Sequence, residues 1–423
     1  MKKNNKESHR QYRYISTILF VLLFVGYPLV TTIFLPSMNE VDMDSSLNVI
    51  SRAVTLPYRL IILAMSVYLI LFYNWSKIKL SISMKMYIVF WMLLLIRMFY
   101  DIFVRTDLGI SHSDAVDTWT YAFAICLIPS IAIIRSFGSI DFHLAFRLLF
   151  IGYLLLIPLY AINNPALFSM TITSSMRMSG NVALNTIAFG HTGVTIALLS
   201  LYAWQHSKSK WSIVFLISLL LGIMIALRSG SRGPFVALIV CFVLYYLSPK
   251  KNALVSFVGF LFIATFIYLL KDSVFSFLSE IAPVLSERMT SSDSVQDLSN
   301  GRTNLYAIAL NGFFENPIFG SFFAIVMDGG TLYYSHNAVL DAFMGLGIIG
   351  GILFVAIYVS AFKKCIFLIK SRNTIYWLSL LVMQQLIASL FSGNFYKSDV
   401  LNVCLVSIFM LGSLTSTNKS FSR

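Results

Sequence analysis

Long apolar runs alternate with short polar or turn-rich stretches along the whole chain. The runs cover 15–36, 58–74, 86–104, 118–135, 144–162, 182–204, 211–227, 234–248, 252–270, 337–362, 374–392 and 399–415. Most approach or reach the roughly 20 residues that carry a helix across a hydrocarbon core. The residue-by-residue alternation of a membrane β-barrel is absent. The expected fold is all-α, a polytopic membrane protein with about 12 transmembrane helices in a single domain over 1–423. The first run, ISTILFVLLFVGYPLVTTIF, is long for a signal peptide and has no small-residue cleavage site. It reads as a retained helix.

Composition agrees: 58% of the 423 residues are hydrophobic, more than a soluble domain can hide. The net charge of +13 raises the question of nucleic acid, and its distribution answers in favour of membrane topology. The basic start MKKNNKESHRQYR is expected in the cytoplasm, with NWSKIKLSISMK, QHSKSK, SPKK and KKCIFLIKSR as further inner segments. Twelve spans return the C-terminus to the same side. About 20 of the 31 Lys and Arg residues then face inward, with a secondary attraction to anionic headgroups. Cys126, Cys241, Cys365 and Cys404 lie in apolar runs or at a basic helix end and suggest no disulfide framework. No P-loop, dinucleotide fingerprint or zinc spacing occurs, so no cofactor is expected.

Four arginines break the inside-positive bias, because Arg177, Arg228, Arg232 and Arg302 fall on the outer side. In RSGSRGPF, Arg232 stands where the eighth span opens, with Pro234 suited to a first helical turn. Free N–H groups, the helix dipole, flexible glycines and a guanidinium together suit a phosphate. The plainer alternative is a basic anchor on lipid headgroups, and Arg228 can reinforce the site or snorkel. The longest loop, 271–336, also faces outward. Within it SVFSFLSEIAPVLSERM carries an apolar stripe suited to the interface. In RTNLYAIALNGFF, Leu305, Ala309 and Phe313 share one helical face before the stop in ENPIFG. A structured loop of this length is more often functional than connective.

At the outer mouth of the tenth span, SHN places Ser335 as a candidate N-cap, with His336 and Asn337 after it. A neutral histidine there can take a proton from a hydroxyl, or simply bind water. Arg97 and Asp101, four apart in the third span, suit an intrahelical ion pair of structural purpose. His191 in FGHTG reads as a buried, hydrogen-bonded histidine, and GIIGG at 347–351 as a close-packing face. Glu40, Asp42 and Asp44 alternate in the first outer loop, which is weak support for a metal site.

Three ordered segments resemble the O-antigen polymerase and O-antigen ligase superfamily of bacterial inner membranes. They are SGSRGPFVALIV, GRTNLYAIALNGFFENPIFG and SHNAVLDAFMGLGIIGGILF, with RMSGNVALN as a weaker upstream element, so the resemblance covers roughly 170–360. One position departs from the family pattern: Gly345 stands where an acid is often found, and the nearest acid is Asp341. The resemblance implies a C-type glycosyltransferase fold acting on undecaprenyl diphosphate-linked oligosaccharides at the periplasmic face, with no metal. It implies that Arg232 and Arg302 hold the diphosphate, helped by Arg177 and Arg228. It implies further that His336 activates the acceptor hydroxyl and that Asn337 orients it. A chain-length regulator and a flippase are implied partners, and nucleic acid is not. Polymerase and ligase activities both remain open, the first favoured by SHN in place of a His-x-His-Asn arrangement. A lipid-linked sugar transporter is the rival of another class, although duplicated halves with matching broken spans are absent.

Overall fold

A computed structural model describes residues 2–35, 45–73, 80–168, 178–181, 183–207, 211–247, 279–290, 302–371 and 373–417. The expected span 252–270, Arg177 and the acidic trio Glu40, Asp42 and Asp44 lie outside these residues.

Among the described residues, seven helices are long and apolar enough to cross a membrane, by length and composition. They include α1 (Arg10–Phe34), α2 (Ser51–Phe72), α3 (Ile82–Val104), α4 (His112–Ser139), α5 (Phe142–Asn163) and α6 (Thr186–His206). Two shorter apolar helices follow, α7 (Ser212–Arg228) and α8 (Arg232–Leu247). Next come α9 (Pro283–Thr290) and α10 (Thr303–Glu315), and then an antiparallel pair of two-residue strands, β1 (Ile325–Val326) and β2 (Leu332–Tyr333). The seventh long helix is α11 (Ala338–Lys370), followed by α12 (Tyr376–Ala388) and α13 (Asp399–Thr417). The fold is thus all-α and polytopic, as the apolar periodicity predicts. The observed starts and ends differ from the predicted spans mostly by a few residues.

Of these seven long helices the most enclosed is α6, 83% buried over its most apolar window. Its apolar residues face protein on all sides, which is why its sequence lacks a polar stripe. It lies against α7 at the closest approach in the bundle. A Cβ on Gly193 would stand 2.7 Å from the Gly222 carbonyl oxygen, and one on Gly222 would stand 2.8 Å from that of Gly193. Small residues let backbones meet where lipid supplies no hydrophobic drive. Buried polar groups tie the remaining helices. The Asn402 side-chain oxygen on α13 accepts from Tyr87 (2.7 Å) and Trp91 (3.0 Å) on α3. Gln384 on α12 donates to the His191 carbonyl at 2.8 Å. All four cysteines are buried and free.

The Arg97–Asp101 pair forms as its spacing predicts, at 2.9 Å with Asp101 fully buried. Its further partners lie about 220 residues away in sequence. Arg97 donates to the carbonyls of Gly320 and Ser321, and Asp101 accepts the Phe323 N–H at 2.7 Å. Arg105 donates to the same Ser321 carbonyl at 2.7 Å. The end of α3 therefore grips the loop that follows α10.

That loop seats itself in a break in α11. Gly347 leaves helical geometry there (φ 61°, ψ −157°), dividing α11 into a short arm, 338–346, and a long arm, 348–370. The freed backbone groups are met by the ENPIFG wedge: Ser321 N–H donates to Met344 (2.8 Å) and Ile348 N–H to Pro317 (2.7 Å). A Cβ at Gly347 would stand 2.3 Å from the Ile318 carbonyl oxygen, and one at Gly345 would meet the Phe323 Cα at 3.3 Å. The glycine run is thus a seat for the wedge. Gly351 does pack closely, as expected of this face, but against Phe343 of the preceding arm. α10 turns its expected face inward, with Ala309 buried and Leu305 packed beside it.

Two outcomes test this frame. Gly347→Ala forces a side chain into a backbone conformation restricted to glycine and into the wedge, and is expected to cost about 1–3 kcal/mol or more. A thermal unfolding midpoint equal to that of the unaltered protein would contradict the seat. Asp101→Ala leaves the Arg97 guanidinium buried without its carboxylate, an expected loss of about 3–5 kcal/mol. It should also open residues 316–323 to protease, which peptide mapping of the detergent-solubilised protein would register.

Candidate functional site

The RSGSRG segment is a tight turn between α7 and α8. Gly230 takes φ 61°, and the Ser229 hydroxyl donates to the Ala226 carbonyl at 2.8 Å while accepting the Ser231 N–H at 3.2 Å. α6 packs against the turn so closely that a Cβ on Gly190 would lie 2.5 Å from the Ser229 hydroxyl. Arg232 is the first residue of α8, and Pro234 lies in its first turn, as predicted. Arg228 ends α7 and is buried near Met178 and Leu285. Burial excludes the alternative that this side chain snorkels to headgroups, because a snorkelling head must reach water.

His336 sits in the turn between β2 and α11 and, among the described residues, is the one non-glycine at positive φ (63°). Such a conformation is uncommon and has to be held by its surroundings. Several contacts hold it. The buried carboxylate of Asp341 accepts the Ser335 N–H at 2.9 Å. The Ser335 hydroxyl donates to the Asn337 carbonyl at 3.0 Å and accepts the Asn337 N–H at 3.2 Å. The Tyr334 ring lies 4.4 Å from the imidazole, centre to centre.

The cap of α11 is Asn337, whose side-chain oxygen accepts from the N–H groups of Val339 (3.0 Å) and Leu340 (3.2 Å). This corrects the expectation that Ser335 is the N-cap. The serine is bound up in the preceding turn, and asparagine caps at least as well. Capping occupies the side-chain oxygen of Asn337 and leaves its amide nitrogen for another partner.

Arg302 immediately precedes α10, and its guanidinium donates to the Phe391 carbonyl in the turn after α12. The same turn receives α8 and α11. A Cβ on Gly233 would lie 3.5 Å from the Phe391 side chain, and Ala338 N–H donates to the Ser389 carbonyl at 3.0 Å. The starts of three helices that carry Arg232, Arg302 and His336 thus meet around residues 389–391. Arg302 is near enough to His336 for its charge to act on the ring. Burial, reinforced by that positive charge, pushes His336 from its ordinary 6.5 down to about 4. Its Nδ1 is buried without a hydrogen-bond partner. The imidazole is accordingly neutral at ordinary pH, with one nitrogen unclaimed.

The turn at 389–391 was not recognised in the sequence as part of the site. Its contribution is main-chain carbonyls, which leave no side-chain signature, although SGN at 392–394 marks a turn. Asp341, which stands near the acid position of the family pattern, has a clear place: its carboxylate fixes the turn that presents His336. His191 does not behave as expected. Both its ring nitrogens are buried without a hydrogen-bond partner, while its carbonyl is taken by Gln384 and Thr195. Among the described residues no three His, Cys, Asp or Glu side chains gather as metal ligands.

The family model described as O-Antigen ligase matches residues 217–355, about a third of the chain, from within α7 to the long arm of α11. Over those residues the chain is similar to the O-antigen ligase family, which is consistent with the O-antigen polymerase and ligase superfamily. The match contains Arg228, Arg232, Arg302, His336, Asn337 and Asp341, and Arg177 lies outside it. No curated protein matches the chain. The match supports, at the level of the superfamily, a function of O-antigen ligase or polymerase type.

The depressed proton affinity of His336 has a sign that can be checked. The unfolded chain binds a proton at this residue near 6.5 and the folded chain near 4. Between those values the unfolded state holds more protons, so the residue's contribution to stability falls as pH drops through that window. Diethyl pyrocarbonate should modify the His336 peptide at a rate that stays flat from neutral pH to about 5 and declines near 4. Peptide mass spectrometry showing a midpoint near 6.5 would contradict the buried environment.

Proposed function

We propose that the chain is a polysaccharide polymerase, with about 12 spans and both termini in the cytoplasm, working at the outer face of the inner membrane. It moves a growing chain from one undecaprenyl diphosphate to a sugar hydroxyl at the non-reducing end of another lipid-linked repeat unit. The observation that carries this reading is the meeting of Arg302 and the start of α8 at the 389–391 turn, with the unclaimed His336 nitrogen held within reach of the Arg302 charge.

The acceptor hydroxyl attacks the anomeric carbon, its C–O bond forms as the bond to diphosphate breaks, and the configuration inverts. His336 takes the hydroxyl proton. Burial is the main reason for its low proton affinity, and a diphosphate on Arg302 would offset the smaller contribution, the positive charge beside the imidazole, making it a better base once substrate is bound. Arg232 and Arg302 stabilise the departing diphosphate, with Arg177 and Arg228 in support, so the step needs no metal. The amide nitrogen of Asn337 orients the acceptor. Transfer to lipid A–core by the same chemistry is the ligase alternative. A lipid-linked sugar transporter is less well supported, since transport alone needs no strained, unpartnered histidine.

The test is reconstitution with defined lipid-linked repeat units, with and without lipid A–core. Lengthened chains without core identify a polymerase, products on core alone identify a ligase, and translocation without a new glycosidic bond removes the enzyme reading. His336→Ala should abolish transfer without loss of folded protein. Arg302→Lys and Arg232→Lys should each lower it at least about tenfold, because lysine lacks the planar fork. Full activity in all three variants would remove these residues from the site.

A further inference from the structure

A second polar hollow of about 200 Å³ lies beyond the Phe395–Lys397 turn, enclosed by α1, α2, α4 and the start of α13. Its lining includes Tyr27, Tyr58, Arg59, Tyr121, Lys397 and Asp399. Charge here is uneven. Arg59 and Lys397 bring two cations and Asp399 one carboxylate; among the described residues neither cation has a carboxylate within 4 Å, and Asp114 and Asp117 act on Lys397 from farther away. Both instead lie over the Tyr121 ring, at 4.7 Å and 5.8 Å from its centre, and Arg59 donates to the Tyr121 hydroxyl at 2.6 Å. Cations left against an aromatic face inside a helix bundle favour an anion more strongly than they would in water.

The helices widen where they meet this space. α1 loosens into a π-helical turn at Leu22–Gly26 and α4 into another at Tyr121–Leu127, and both turns contribute lining residues. Single π turns inside α-helices recur at functional sites. The Tyr58 hydroxyl donates to the Leu22 carbonyl at 2.8 Å, satisfying a group that the widened turn releases. The volume is below the ~300–1,000 Å³ of drug-sized sites and suits one sugar ring. The hollow also adjoins the site around His336. Tyr396, next to Lys397, packs on Phe323 with ring centres 5.6 Å apart, and it lies close enough to Asp341 for a carboxylate charge there to act on it.

We propose that this hollow binds one acidic sugar unit, a uronic acid, of the acceptor oligosaccharide. Arg59 and Lys397 hold its carboxylate, Asp399 accepts from its hydroxyls, and the tyrosine rings face its apolar side. The carboxylate in the lining is what favours a singly charged sugar over a phosphate, which would bring a second negative charge toward Asp399. The assignment rests on the glycosyltransferase reading for the word acceptor, but binding itself is measurable without turnover.

Saturation-transfer NMR on the full chain in phosphatidylcholine nanodiscs, with glucuronate and glucose as probes, tests it. Glucuronate should give a signal several times that of glucose. Lys397→Met, which keeps the stem and removes the charge, should cut that signal at least fivefold, as should Arg59→Met. His336→Ala should leave it unchanged. An equal signal from both sugars, or retention of the glucuronate signal in well-folded Lys397→Met, overturns the proposal. So does a glucuronate signal lost when phosphatidylglycerol replaces phosphatidylcholine, which would assign the hollow to lipid headgroups. Glucuronate bound as described by a protein that forms no glycosidic bond would keep this site and remove the polymerase reading instead.

Discussion

The site depends on a charged pair placed where charge is costly. Arg97 and Asp101 lie at the end of a membrane-crossing helix, and neither group could be buried there alone. Arg97 donates to Asp101 and to the carbonyls of Gly320 and Ser321, while the Asp101 Oδ2 accepts from both Arg97 and the Phe323 N–H and its Oδ1 is buried without a hydrogen-bond partner. The loop is therefore fixed to the bundle by groups that would be destabilising without it. Through the wedge, the same contacts set the break in α11 and so the position of the short arm that begins beside His336.

From there the dependence runs outward to the chemistry. The short arm is capped by Asn337, clasped to its preceding turn by Asp341, and joined to the end of α12 through Ser389. The 389–391 turn in turn holds Arg302 and touches the start of α8. Four stretches far apart in sequence reach one place mainly through main-chain carbonyls. The place where they meet is thus framed largely by main-chain groups.

Much of the helical framework was legible in the sequence, because apolar runs reflect transfer energies that act residue by residue. The i, i+4 spacing gave the Arg97–Asp101 pair, and the inward face of α10 followed from Leu305 and Ala309. What escaped were the partners. Nothing in the letters marks Phe391 or Ser321 as acceptors, since every residue has a carbonyl. Gly347 could be read as a packing glycine or as a break, and only the wedge decides. Ser335 and Asn337 both suit a helix start, and the contest turned on which side chain the preceding turn had already taken. The hollow beside Arg59 had no motif at all, being assembled from four helices.

The wedge carries one last implication. Its two seating bonds run between main-chain atoms of Pro317, Met344, Ser321 and Ile348, while the side chains of Ile318 and Phe319 stand 56% and 72% exposed. The joint is indifferent to what those two positions display outward. The rim of the molecule can thus be re-dressed to suit a different lipid or neighbour while the hinge glycines beneath it stay fixed, so surface adaptation and the backbone geometry of the joint are separable here by construction.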